Sequence, residues 1–484
     1  MLKTSTLFDN IKNLETRYKL DLKWMLNLVE FFTVLLIIPI SIILTKWLFF
    51  ADNSWQLSIY QFGIYAFFFI FFWFVFYQVT SMAMLPRAQR YISAVLLFFR
   101  GYFLVFLSLV AIKFALNLND IPLMLVFLHI NLSLIITLGL RLLTIHFLRV
   151  YRINGYNLRH IVIIGDSCSY KIIDKLSNQK DWGFSIRAII TKSQLIKNKF
   201  GHEIPIIADA ENLAYILESQ VVDEVFYCKK HIHKTEIRQI ARLANEIGVV
   251  FRVQSNVSTL SPEKVQLKTL NEVGKLTLMD IPSRKLAYDV KTVTDVLFSS
   301  VALILLLPVL LMIALLVKLS SDGPIFFAQE RIGLRGRKFN LYKFRTMVSN
   351  AEELLEKLRE HNEMDGPTFK LREDPRVTPI GKILRKTGLD ELPQLYNVVL
   401  GEMSLIGPRP PLESEVKQYE RWQLRRLSVK PGITCTWQIM PHRNDIKFEK
   451  WMRMDLNYID NWSLTKDIKL IFQTISTMIF ATGR

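Results

Sequence analysis

Asp390 and Glu391 are neighbouring carboxylates within Arg385-Lys386-Thr387-Gly388-Leu389-Asp390-Glu391-Leu392-Pro393-Gln394. Downstream, Gly407-Pro408-Arg409-Pro410 locks an arginine between two prolines, which lowers the entropy lost when its fork grips a phosphate. Arg331 and the pair Lys343 and Arg345 add cations near short strand-like runs, and Arg385 stands just upstream of the acids. A carboxylate does not easily attack an anionic phosphate. The repulsion has to be offset by a metal ion and by basic side chains, which also stabilise the charge spreading in the transition state. An acid pair among separated cations suits that chemistry. The rival reading is local: Asp390 caps a helix, with Glu391 and Pro393 in its first turn and Gly401 at its end.

The elements that must position these residues begin with membrane segments. Apolar runs over about 25–50, 57–79, 92–116 and 121–148 each reach the roughly 20 residues that a helix needs to cross a bilayer. Ala51-Asp52-Asn53-Ser54 and Asn117-Leu118-Asn119-Asp120 join the outer pairs without a cation, whereas Arg87, Arg90, Arg149, Arg152 and Arg159 mark the middle loop and the end. By the positive-inside rule both ends of this block are cytoplasmic. Arg100, Lys113 and Arg141 fall inside the runs. Either they snorkel or face the bundle interior, or they contact a lipid phosphate or polysaccharide. The mixed-charge segment 1–24 is not expected to be a cleavable signal. Hydrophobic residues make up 51% of the 484, with 33 Phe concentrated in these runs, and the formal net charge is +18. With membrane segments present, that charge points to anionic headgroups or phosphorylated substrates rather than nucleic acid. Cys168, Cys228 and Cys435 are scattered, with no metal-type spacing and no paired framework.

His160-Ile161-Val162-Ile163-Ile164-Gly165-Asp166-Ser167 reads as a strand entering a glycine turn, and further short strands alternate with helical patterns to give a Rossmann-like α/β domain over 151–265. Its dinucleotide fingerprint is degenerate: Gly165 stands alone, and Asp166 would repel a pyrophosphate. A structural or regulatory role is expected. A linker over 266–290 leads to an apolar segment, 291–320, with Pro308 in its middle. Crossing here would carry the basic remainder to the far side. A membrane helix broken at Pro308 that re-enters on the same face avoids this. The remainder, 321–484, is a small α/β domain carrying the acid pair. It includes a charged helix over about 349–363 and an amphipathic one over about 467–480, lying in the headgroup plane or packed on the core. The fold class is a membrane protein of mixed α and α/β type, with a four-helix transmembrane bundle over 25–150.

Several ordered motifs resemble one family. They are Gly323-Pro324-Ile325-Phe326-Phe327-Ala328-Gln329-Glu330-Arg331-Ile332-Gly333, Lys343-Phe344-Arg345-Thr346-Met347, Asp374-Pro375-Arg376-Val377-Thr378, Leu389 to Gln394, Met403 to Pro410, Lys430-Pro431-Gly432-Ile433-Thr434 and Tyr458-Ile459-Asp460-Asn461-Trp462-Ser463. Together they are similar to the polyprenyl-phosphate hexose-1-phosphate transferases, the monotopic phosphoglycosyl transferases that start exopolysaccharide, capsule and O-antigen synthesis. The four helices and the α/β middle resemble the long form of this family.

The resemblance implies a ping-pong reaction at the cytoplasmic face of a bacterial inner membrane. Asp390 would attack a UDP-hexose, with glucose the first choice and galactose the second, expel UMP and carry the sugar phosphate covalently. Glu391 would assist undecaprenyl phosphate, and Mg²⁺ would sit at Asp390. Arg385, Arg409, Lys343, Arg345 and Arg331 would bind substrate. Lys291 and Asp295 fall where the family has a basic residue and an aspartate. Two departures stand out: Cys435-Thr436 follow Pro-Gly-Ile-Thr where Gly-Leu is usual, and Leu307 replaces a common Ser before Pro308. Membrane lipids are expected partners, and a homodimer through the middle domain is an open option. Two rivals are a membrane nucleotide-sugar dehydratase, which needs a glycine fingerprint and a Tyr-x-x-x-Lys pair not found after residue 291, and a non-catalytic scaffold of polysaccharide assembly.

Overall fold

The computed structural model describes residues 22–50, 57–80, 82, 85–208, 212–230, 233–253, 285–348, 350–351, 353–354, 371, 374–440 and 446–480. The segment 1–24, the loop 51–54, the linker 266–290 and the helix expected over 349–363 lie wholly or largely outside them. The chain divides into two units, Asp21–Gly155 with Lys180–Gly183, and Met1–Leu20, Tyr156–Gln179 and Phe184–Arg484.

The first unit contains α1 (Leu22–Phe49), α2 (Ile59–Val79), α3 (Tyr91–Ala115) and α4 (Leu123–Ile153), all long and apolar enough to cross a membrane. Phe69, Trp73, Phe98, Tyr102 and Leu125 pack inside, while Phe67, Phe74, Leu96, Phe103 and Ile135 point outward. An apolar exterior around a packed core suits lipid, where helix contacts come from packing and internal polar bonds. Arg141 is buried and pairs with Glu30 at 2.7 Å, and the Tyr77 hydroxyl bonds both. The pairing lowers the cost of charge at that depth. Of the other two cations, Lys113 bonds the Leu118 carbonyl just beyond its own helix, and Arg100 is exposed.

In the second unit a five-stranded parallel sheet has the order β3-β2-β1-β4-β5. Its strands are β1 (Arg159–Ile164), β2 (Phe184–Ile190), β3 (Ile206–Ile207), β4 (Glu224–Tyr227) and β5 (Val250–Val253), alternating with α5 (Tyr170–Asn178), α6 (Gln194–Phe200), α7 (Leu213–Ser219) and α8 (Lys234–Ile247). Ile161 to Ile164 and Val225 to Tyr227 are buried because helices cover the sheet.

Then come α9 (Lys285–Leu305) and α10 (Leu307–Ser320), bent by 65° where they meet. The helix thus starts within the expected linker, six residues before 291. Pro308 lies in the first turn of α10, where its missing N–H costs no internal bond. Both ends of this bent pair are fixed to the acid-pair domain. On α9, Lys291 pairs with Asp467 at 2.6 Å and Asp295 accepts a bond from the Ser404 hydroxyl. On α10, Ile313 and Val317 share a core with Phe344 and Leu384.

That domain is built from an antiparallel hairpin, β6 (Phe326–Ile332) and β7 (Lys338–Phe344), then α11 (Pro379–Thr387), α12 (Gln394–Val399) and β8 (Ser404–Ile406). The short helices α13 (Glu413–Val416) and α14 (Arg421–Leu424) precede β9 (Gly432–Thr434), which pairs with β8 in parallel. Finally α15 (Phe448–Asp460) leads to α16 (Leu464–Phe480). Leu470 of α16 joins Tyr458, Trp462 and Ile406 in a core, while Ile468 and Phe472 remain exposed. The last helix therefore packs on the domain with one edge and keeps apolar side chains outside it.

Candidate active site

The acid pair sits in a turn with a fixed shape. Thr378 caps α11 by accepting a bond from the Gly381 amide, and Gly388 ends the helix in the left-handed region, at φ +73°. Glycine takes that backbone without a side-chain clash. The chain then makes a single 3-10 turn, Leu389–Glu391, before α12. Pro393 holds the cap position of α12 and no side chain caps that helix. The reading of Asp390 as a helix cap is therefore not what the backbone builds. Instead Asp390 is 7% exposed and Glu391 half-buried.

Three cations converge on this turn from separate elements. Lys343 of β7 donates to Glu391 Oε1 at 2.6 Å. Arg385 of α11 is steadied by its Nε bond to Thr346 Oγ1, 2.9 Å long, and its charge acts on Asp390. Arg331 of β6 is buried, bonds the Pro410 carbonyl and Gln329, and feels the charges of both Arg409 and Glu391. Arg409 lies over the Trp451 ring, 5.6 Å from its centroid, with Glu415 3.4 Å away. Burial, followed by the neighbouring Glu391 charge, pushes the Asp390 carboxyl up to about 6 against the pull of Lys343 and Arg385. Burial and then Arg409 lower Arg331 to about 10, so its guanidinium stays charged at neutral pH.

Arg345 differs from the other expected substrate ligands. Its Nη2 bonds Ser321 and the Val317 carbonyl at the end of α10, while Nε and Nη1 are buried without a partner among the described residues. It fastens α10 to the domain.

Among the described residues no three His, Cys, Asp or Glu side chains gather around one point. Mg²⁺ commonly takes one or two carboxylates and completes its shell with water and substrate phosphates. Asp390 beside Glu391 matches that sparse donor set.

Comparison with known proteins covers most of this architecture. Residues 286–481 match the bacterial sugar transferase family, and residues 85–253 match a CoA-binding domain. The UDP-glucose:undecaprenyl-phosphate glucose-1-phosphate transferase of Escherichia coli K12 is 32% identical over 338 residues, 67% of this chain and 68% of that protein. The chain belongs to the polyprenyl-phosphate hexose-1-phosphate transferase family. Two further relatives of this transferase are the galactosyl transferase CpsE of Streptococcus agalactiae and the exopolysaccharide production protein ExoY of Rhizobium meliloti. CpsE is 39% identical over 52% of this chain, which spans 56% of the CpsE length. ExoY is 44% identical over 39% of this chain and 85% of its own length.

The candidate site also rests on residues that sequence reasoning missed. Arg426 and Asp455 form a fully buried pair at 2.8 Å, and Arg426 Nη2 donates to the Arg409 carbonyl, fixing the backbone of the proline-flanked turn. Asp467 accepts bonds from Lys291, Tyr458 and Trp462. Asn397 joins α12 to β7 through the Tyr342 amide and the Asn340 carbonyl. Lys291 and Asp467 lie 176 residues apart and Asn397 lies 55 and 57 residues from its partners, and no local pattern marks these pairings. Asp455 and Asp467 stand among other charges, Arg453 and Asp460 for the first and Lys466 and Lys469 for the second, so the sequence does not single them out.

Proposed function

We propose that this transferase moves hexose-1-phosphate from a UDP-hexose to undecaprenyl phosphate, releasing UMP and starting a surface glycan. The observation that carries this is the buried Asp390 and its neighbour Glu391 with Lys343, Arg385 and Arg331 arrayed around them. Asp390 Oδ attacks the β-phosphorus of the donor, forming a carboxyl–phosphate bond. The bond from that phosphorus to the bridging oxygen breaks, and its electron pair leaves on UMP. An oxygen of undecaprenyl phosphate then attacks the same phosphorus, creating a diphosphate and returning Asp390 as carboxylate. Glu391 takes the acceptor's proton and is held in place by Lys343. Arg331, Arg385 and Arg409 supply positive charge to the donor phosphates. Mg²⁺, held by Asp390 and phosphate oxygens, would neutralise charge on the pyrophosphate.

The membrane arrangement follows from the bent pair. A bilayer core is about 30 Å thick, and a straight span would separate its two ends by that distance. Lys291 at one end and Val317 at the other both attach to the domain that carries Asp390, which supports re-entry from the cytoplasmic face of the inner membrane. The hexose is glucose, in keeping with the name of the Escherichia coli relative, or galactose, in keeping with that of CpsE. The test is UMP release by the full chain in nanodiscs with polyprenyl phosphate, Mg²⁺ and a panel of UDP-sugars. Turnover with UDP-glucose or UDP-galactose that Asp390→Asn abolishes is expected. UMP release unaffected by that substitution would point to another nucleophile, and no release with any UDP-sugar would leave a non-catalytic scaffold role.

A further inference from the structure

Asp223 immediately precedes β4 and is fully buried, yet no step of the reaction uses it. Its carboxylate accepts from Arg335 Nη1 at 3.0 Å, from Arg337 at 2.9 and 2.6 Å, and from the His160 amide at 2.9 Å. Arg335 and Arg337 flank Gly336 in the turn of the β6–β7 hairpin. Arg335 takes the left-handed region at φ +58°, followed by Gly336 at +80°. A non-glycine residue held there carries strain of about 1 kcal/mol or more, so the clasp stabilises a turn that the backbone alone disfavours. The turn is closed by a bond of 2.7 Å from the Gly333 amide to the Arg337 carbonyl. Just before it, Ile332 bonds Pro411 and Arg331 bonds Pro410, tying the hairpin tip to the arginine turn. Through these bonds Asp223 reaches both Arg331 and the backbone beside Arg409.

In the same middle domain several polar groups are already engaged where a ligand of such a sheet would bind. That place lies outside the carboxyl ends of the strands where their order reverses, here between β1 and β4. There Asp166 accepts from the Cys168 and Lys230 amides, and Ser169 Oγ bonds the Cys228 carbonyl. A Cβ at Gly165 would fall 2.5 Å from Ser169 Oγ. Two amides that could cradle a phosphate, those of Cys168 and Lys230, are already satisfied by a carboxylate. The clasp is at the opposite, amino-terminal end of β4.

We propose that the middle domain acts as a dock for the hairpin, and that Asp223 is a positioning residue for the phosphate-binding arginines Arg331 and Arg409. This rests on the transferase reading above. The test uses the full chain in nanodiscs, comparing Asp223→Ala, Asp223→Glu, Arg337→Lys and the double variant Asp223→Ala/Arg337→Ala. Misplacing binding groups by about 1 Å can cost up to ~100-fold. Asp223→Ala is therefore expected to lower kcat/KM for the UDP-hexose by ~10- to 100-fold, chiefly through KM, with partial recovery in Asp223→Glu. The double variant should be no worse than the worse single one, and amide exchange over 332–338 should quicken. Should Asp223→Ala be too unstable to assay, Arg337→Lys keeps the charge, loses the fork and should raise KM on its own. A lowered melting temperature with unchanged kcat/KM in the folded protein would make the clasp merely structural and overturn the proposal. Asp390→Asn serves in parallel. If it is inactive while the clasp variants turn over normally, only the positioning role fails. If it still releases UMP, the nucleophile assignment fails, and if the parent releases none with any UDP-hexose, the transferase reading itself is at fault.

Discussion

Replacing Asp390 by Asn removes a charge that the fold holds at a cost. The carboxyl has an ordinary value of 3.8 and is pushed up to about 6 by burial and by Glu391. At 1.36 kcal/mol for each tenfold change in proton affinity, that gap is roughly 3 kcal/mol. The folded state binds this proton more tightly than the unfolded chain does. The resulting stabilisation is complete below 3.8, is lost as pH rises through about 6, and leaves an ionised Asp390 disfavoured above that. Asparagine does not titrate. At pH 8 the Asp390→Asn protein should therefore be up to about 3 kcal/mol more stable than the parent, with a melting temperature a few degrees higher. At pH 4 the difference should close. Thermal melts of both proteins in one detergent at the two pH values, with UMP release measured alongside, make the check. An inactive variant that is less stable at pH 8, or equally favoured at both pH values, would refute the argument that the fold holds a buried Asp390 charge at a cost.

Three other substitutions probe the supports of the site. Lys343→Met removes a charge that pulls Asp390 down, so the acid limb of the pH–rate profile should move toward neutrality; an unmoved limb would mean that Lys343 does not act on the pair. A Cβ at Gly381 would lie 2.1 Å from the Thr346 carbonyl oxygen. Gly381→Ala should push α11 away, cost about 1–3 kcal/mol and loosen the Arg385–Thr346 bond, seen as a lower melting temperature together with a lower kcat. Asp467→Ala removes the nearer carboxylate of Lys291, which keeps Asp295 at 3.3 Å, and an acceptor of Tyr458 and Trp462, and breaking such a buried pair costs about 3–5 kcal/mol; melts of the single variant and of Lys291→Met/Asp467→Leu should show partial recovery in the double one.

Elements set by local composition were readable from the chain. The four long helices follow from uninterrupted apolar runs, and α9 and α10 meet beside Pro308 as a proline break requires. The short strands around Gly165 became a parallel sheet because buried strands read as continuous apolar runs. Asp390, Glu391, Lys343 and Arg385 do come together. Side-chain destinations set by distant partners were not readable. Arg345 holds the end of α10, Arg141 finds Glu30 across 111 residues, and Asp223 meets Arg335 and Arg337 more than a hundred residues away. A charge in the sequence shows that a partner is needed and leaves open which one, because the pairing is decided only once the elements pack.

The central claim is that Asp390 itself becomes phosphorylated by the sugar donor. Incubating the full chain with UDP-glucose or UDP-galactose and Mg²⁺, without lipid acceptor, and mapping the modified peptide by mass spectrometry tests it directly. A hexose-phosphate adduct on Asp390, released when polyprenyl phosphate is added, is the predicted result. An adduct on another residue, or UMP release that requires both substrates at once with no adduct at all, would contradict it.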